Sequence, residues 1–108
     1  MISANIRGLN PGMKYSKIEY LNDLANDKNA IIMAITESHL SEGILDSEIS
    51  IKGWAHVRAD RDNRIGGGVI VYVKDDYTIS SEISFSNSVC EAVCIYINKL
   101  NVGLVTIY

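Results

Sequence analysis

The side chains in this sequence that could do chemistry are an amide, a carboxylate, an imidazole and a set of arginines: Asn5, Glu37, His39, Arg7, Arg58, Arg61 and Arg64. Glu37 follows the apolar run Ile31-Ile32-Met33-Ala34-Ile35-Thr36. Burying its charge inside a sheet would be costly unless it were paired or bound a cation. It can therefore ligate a hard cation through oxygen, or stand as a solvated carboxylate at a strand end. Mg²⁺ suits the first role, since it typically takes only one or two protein carboxylates plus waters and phosphate oxygens. Asn5 offers an amide to a metal-bound water or a phosphate, or else shapes a turn. His39 is a candidate general base, although a lone loop histidine also serves as a plain surface residue. The arginine forks suit bidentate contact with phosphate. Asp60 and Asp62, interleaved with them, equally suit a self-paired, solvated loop.

Three elements must position Asn5 and Glu37. Residues 1 to 6 read as a strand, and 31 to 36 as a short apolar strand buried on both faces. Between them, Ile18, Leu21, Leu24 and Ala25 recur at helical spacing, and residues 14 to 27 are predicted helical. Arg7-Gly8-Leu9-Asn10-Pro11-Gly12 supplies turn chemistry before the helix, and Asn26-Asp27-Lys28-Asn29 stops it. A strand, a helix and a strand in this order usually form a right-handed crossover with parallel strands. Ligands collect at the carboxyl ends of such strands, which is where Asn5 and Glu37 fall.

The remainder is strand-rich. Asp46 is placed to cap a short helical turn through Ile49, and residues 51 to 57 read as extended. After Gly66-Gly67-Gly68, Val69 to Val73 is apolar on both faces, and Asp75-Asp76 turns the chain. The more polar stretch Ile79 to Phe85 suits a sheet edge. Val89, Glu91, Val93, Ile95 and Ile97 alternate onto one face, and Asn98 to Asn101 turns into a last strand, Val102 to Tyr108. The triple glycine precedes a strand and not a helix, so it is no dinucleotide fingerprint. One parallel-type unit followed by strands without helices predicts an α+β layered sandwich.

Composition narrows the field. With 108 residues, 47% of them hydrophobic, the chain is one domain or part of one, with enough apolar material for a core. A net charge of -3 excludes a broadly basic surface, so contact with nucleic acid would need a local patch or a bound cation. No apolar run approaches the roughly 20 residues of a membrane-spanning helix, and the start lacks the apolar core of a signal peptide. Cys90 and Cys94 lie about 13 Å apart along a strand, too far to bridge each other. They are expected to be free, buried thiols in a reducing, intracellular setting.

Five segments taken in order, Asn5-Ile6-Arg7-Gly8-Leu9, Ile35-Thr36-Glu37-Ser38-His39-Leu40, Arg58-Ala59-Asp60-Arg61, Gly67-Gly68-Val69-Ile70-Val71-Tyr72-Val73 and Val105-Thr106-Ile107-Tyr108, resemble the endonuclease/exonuclease/phosphatase superfamily. Within it, the sequence is most similar to the apurinic-like endonuclease domain of non-LTR retrotransposons, which accompanies a reverse transcriptase. The resemblance implies a four-layer α/β/β/α sandwich with two mixed sheets face to face, of which residues 1 to 108 are an incomplete, N-terminal half. It implies phosphodiester hydrolysis with Mg²⁺ or Mn²⁺ and, in the complete form, nicking of DNA. By resemblance Asn5 and Glu37 stand at the metal and scissile phosphate, Tyr108 contacts the target phosphate, and Arg7, Arg58 and Arg61 bind substrate.

Two departures qualify what the resemblance implies. Arg7 stands where some relatives carry an aspartate, and an arginine cannot ligate metal. The family's later G-D-x-N motif and its closing aspartate–histidine pair do not occur, so the chain alone is expected to be inactive or nearly so. A phosphatase or phosphodiesterase of the same superfamily, acting on small phosphates, is one alternative. A transposon-derived module that binds or self-associates through unprotected strand edges is another.

Overall fold

A computed structural model of the chain describes residues 1–14, 16–41, 43–61 and 66–108. The first strand, β1 (Ile2–Asn5), pairs in parallel with β2 (Ile32–Thr36), placing Asn5 opposite Thr36. Between them runs helix α1 (Ile18–Asp27), which buries Leu21 and Ala25, four residues apart on one face. The helix begins four residues later than the sequence predicts, because turns bonded from Asn10 to Met13 and from Lys17 back to Leu9 precede it. Asn10 and Gly12 adopt left-handed backbone, Met13 N–H donates to the Asn10 carbonyl at 3.2 Å, and Lys17 N–H reaches back to Leu9 at 2.9 Å. Its end is set by left-handed Asn29, which lets Ala30 N–H bond the Ala25 carbonyl at 2.9 Å and satisfies a helix-end acceptor.

Two antiparallel partners complete the first sheet, β4 (Val69–Lys74) beside β2 and β3 (Trp54–Ala59) at the edge, in the order β1-β2-β4-β3. Alternation along β2 and β4 fills two cores at once. Met33, Ile35, Ile70 and Tyr72 meet Leu21, Ala25 and Ile49 on the helix side. Ile32, Ala34, Val69, Val71 and Val73 meet Val93, Ile95 and Ile97 on the other. The extended segment predicted from residue 51 starts at Trp54, because the Trp54 N–H turns back to the Ile51 carbonyl at 3.0 Å. A one-turn helix α2 (Asp46–Ile49) precedes it. Asp46 is its first residue and not its cap; Leu45 takes that position, and its N–H donates to the Glu48 carboxylate at 2.6 Å. The last turn is closed by Tyr72, whose buried hydroxyl donates to the Ile49 carbonyl at 2.6 Å, and burial pushes that phenol far above its ordinary range.

The second sheet is antiparallel, β5 (Ser81–Ser86), β6 (Glu91–Ile97) and β7 (Val102–Ile107) in that order. As expected, β5 is an edge. A 3-10 turn over Asn98–Leu100, with Asn101 left-handed, makes the β6–β7 hairpin. Val89 does not share the inward face of β6: it precedes the strand and is 85% exposed. Nor are the two cysteines buried; both are free and half-exposed, Cys94 facing away from the core between the inward Val93 and Ile95.

The chain is thus an α+β sandwich with its two sheets face to face and α1 and α2 on one outer surface. Among the described residues no helix covers the other outer surface, where Ile83, Phe85, Val105 and Ile107 are exposed. Among the described residues no helix is long and apolar enough to cross a membrane.

Candidate functional site

The carboxyl ends of β1 and β2 form one rim, and their pairing continues past the strands. Ile6 N–H donates to Thr36 at 3.2 Å, Gly8 to Glu37 at 2.7 Å and Leu9 to Ser38 at 3.0 Å. On the other side of β2, His39 N–H reaches Gly67 at 2.9 Å and Ser38 N–H reaches Gly68 at 3.3 Å. Held between these ladders, Arg7, Asn10, Glu37 and His39 all have positive φ, near +50° to +56°. Such backbone costs a non-glycine residue about 1–2 kcal/mol, and clusters of it accumulate where a site requires a particular side-chain direction. At Glu37 it breaks the alternation of β2, and the carboxylate lies on the rim and not in the sheet.

Asn5 reaches the same place by ordinary alternation. Ile2 and Ala4 pack toward the helix-side core, so Ser3 and Asn5 take the opposite face. From the second sheet comes Tyr108, just past β7, tied to Glu91 by two backbone hydrogen bonds of 3.0 and 2.9 Å. Its hydroxyl donates to Glu37. The structure therefore brings Asn5, Glu37 and Tyr108 together from two sheets.

Electrostatics at the rim favour an ionised Glu37. The Tyr108 hydroxyl pulls its carboxyl below the ordinary range, burial opposes that, and Asn5, His39 and Arg7 add to the lowering. The same bond raises the phenol of Tyr108. Replacing Tyr108 by phenylalanine should therefore move the Glu37 titration up toward its ordinary value of 4.5, as read by carboxylate ¹³C shifts. Because Glu37 is lowered on folding, what its ionised form contributes to the rim is present above pH 4.5 and fades as the pH falls through the depressed value.

The arginines separate into different roles. Arg7 is exposed on the rim and acts on Glu37 through its charge. Arg61 lies over Tyr108, its Cζ 5.6 Å from the ring centroid, with Nε donating to Glu91 at 3.1 Å. Arg58 is elsewhere: it donates to Asp60, to Asp46 at 3.1 Å, and to the carbonyls of Ile44 and Ser41 at 2.8 and 2.9 Å. Its fork is spent on holding Ser41, Ile44 and Asp46 to β3, where Asp46 also contacts His56 at 3.2 Å. Those bonds leave Arg58 no part in the rim. Arg64 and Asp62 lie outside the described residues.

Glu91, which sequence reasoning passed over, is fully buried at the first position of β6. Its signal was available: a carboxylate on the inward phase of an otherwise aliphatic Val93-Ile95-Ile97 alternation needs a buried donor. Oε1 accepts from Gly68 N–H at 2.6 Å as well as from Arg61.

Among the described residues no group of three or more His, Cys, Asp or Glu side chains is placed to hold a metal. The rim offers one carboxylate and one amide, Glu37 and Asn5. That is an all-oxygen, singly charged donor set, compatible with a hard cation that keeps most of its waters and not with zinc or copper. The chain matches no protein-family model, and no curated protein matches it.

Proposed function

We propose that this rim binds a divalent cation and a phosphodiester. In this reading the chain is the N-terminal part of a metal-dependent phosphodiesterase of the endonuclease/exonuclease/phosphatase type, which in complete form nicks DNA. The convergence of Asn5, Glu37 and Tyr108 from two different sheets is the observation that carries it. Glu37 and Asn5 would hold Mg²⁺ or Mn²⁺, which when bound supplies Lewis acidity toward a phosphoryl oxygen. Glu37, a carboxylate at neutral pH, supplies the negative charge for that task. Tyr108 presents a hydroxyl that can turn from Glu37 to a non-bridging phosphate oxygen, and Arg7 and Arg61 bring positive charge to either side. Arg58 has no role in this reading. The chain alone leaves DNA uncut, because the residues that would activate water belong to the later motifs.

Binding separates this from a chance arrangement. Fluorescence anisotropy of a labelled 12-nucleotide single strand should show affinity that needs Mg²⁺, disappears in EDTA, and falls at least tenfold in Glu37→Ala. Affinity indifferent to Mg²⁺, or unchanged by that substitution, would contradict the proposal.

One observation favours a second, non-enzymatic reading. β7 (Val-Gly-Leu-Val-Thr-Ile) is an edge strand without charge or proline, and Val105 and Ile107 stand exposed on its outer face. Edges of this kind pair with one another unless guarded. Self-association through β7 should appear as a concentration-dependent sedimentation coefficient that Val105→Lys returns to the monomer value. A monomer at every concentration would dispose of this reading.

A further inference from the structure

We propose that Glu91 is a positioning residue, the buried strut that holds Arg61 across the ring of Tyr108 and so fixes the Tyr108 hydroxyl on Glu37. The proposal rests on reading the rim as a phosphodiester site. Three observations lead to it. Glu91 is 0% exposed, yet it occupies a strand position whose inward neighbours are valine and isoleucine, so an aliphatic side chain would serve the core as well. One carboxylate oxygen, Oε1, takes both contacts, from Gly68 N–H at 2.6 Å and from Arg61 Nε at 3.1 Å. And the backbone is shaped for that contact: a Cβ on Gly67 would lie 2.2 Å from Arg61 Nε and 2.4 Å from Glu91 Oε1.

Glu91 grips Tyr108 from both directions. Its backbone pairs with that of Tyr108 in two hydrogen bonds, and its side chain places a guanidinium 5.6 Å from the centre of the phenol ring. The ring is thus confined between a strand partner and a cation while its hydroxyl lies on Glu37. A carboxylate that merely neutralised a loop arginine would not need to stand beside the residue that arginine covers. The chain of contacts is Glu91, Arg61, Tyr108, Glu37, and a change at its buried end should be felt at the rim.

The test is a double-mutant cycle on the full 108-residue chain with Glu91→Gln, Arg61→Ala and the pair. Glutamine keeps the side-chain shape and an oxygen for Gly68 N–H while removing the charge that holds Arg61, and amide-shift dispersion of each variant checks that it is folded. Without any ligand, the assigned ring resonances of Tyr108 should shift in Glu91→Gln as they do in Arg61→Ala, and the Arg61 Nε–H signal should lose its protection from exchange. Pentathymidylate with Mg²⁺ should then bind at least fivefold more weakly to Glu91→Gln, with no further loss when the change is made in Arg61→Ala. Unmoved Tyr108 resonances, or an equal loss of affinity in the Arg61→Ala background, would overturn the positioning role. If pentathymidylate moves no rim resonance in the unaltered chain, the phosphodiester reading fails, while the ring resonances still decide whether Glu91 orients Tyr108.

Discussion

Arg58→Ala should destabilise the folded chain by about 3 kcal/mol while leaving oligonucleotide affinity unchanged. The side chain is only 15% exposed and donates to two carboxylates and two backbone carbonyls. Its removal leaves Asp60, itself 16% exposed, without this cation, and frees Ser41, Ile44 and Asp46 from β3. Burial alone would lower the guanidinium's proton affinity, yet its bonds to Asp60 and Asp46 raise it above the ordinary value, so the cation is fully committed here. Arg58→Lys should recover little, because an ammonium cannot reproduce the planar fork that spans these acceptors. Urea unfolding measures the stability and anisotropy the affinity. A phosphate-binding Arg58 would give the reverse pattern, with stability near that of the unaltered chain and weakened binding.

Gly67→Ala should destabilise by about 2–4 kcal/mol, part from backbone and part from collision. Its φ of +66° is left-handed, and an added Cβ would fall 2.2 Å from Arg61 Nε, 2.3 Å from Cζ and 2.4 Å from Glu91 Oε1. Arg61, 22% exposed, can swing aside, but the fully buried Glu91 cannot, and once Arg61 leaves, the buried carboxylate loses its cation. Gly12→Ala is the internal control. Its φ of +73° is as unfavourable, but no atom of the described residues lies within 4 Å of the new Cβ, so only the conformational part, about 1–2 kcal/mol, should appear. Equal losses at the two positions would show that the contact of Arg61 with Glu91 across Gly67 is worth nothing. Urea unfolding of both variants decides.

The sequence pattern carried the strands well where alternation or continuous apolarity fixed burial, as in β2, β4 and β6. It also placed Asn5 and Glu37 at the ends of adjacent parallel strands, because the crossover rule leaves little choice of topology. Residues whose role depends on distant partners were less legible. Interleaved aspartates hinted at the Arg58–Asp60 pair, but the tie to Ser41 and Ile44 spans a loop whose path no local pattern encodes. Arg61 looked like a partner for neighbouring aspartates, and the pattern gave no hint of its pairing with Glu91, 30 positions along the chain. Left-handed backbone at Glu37 was invisible because glutamate is not a residue type that advertises it; the ladders from Gly8, Gly67 and Gly68 hold it there. The late start of α1 has a similar cause, since proline and two glycines announce a turn without setting its length.

The most direct measurement is paramagnetic broadening by Mn²⁺ of the assigned amide and side-chain resonances of the whole chain at pH 7. Broadening should centre on Asn5, Glu37, Ser38 and Tyr108, vanish in Glu37→Ala, and fade as the pH is lowered below 4.5. Broadening spread over exposed acidic residues such as Asp23, Asp75 and Glu82, and indifferent to Glu37→Ala, would contradict the claim that the joined ends of the two sheets form a cation site.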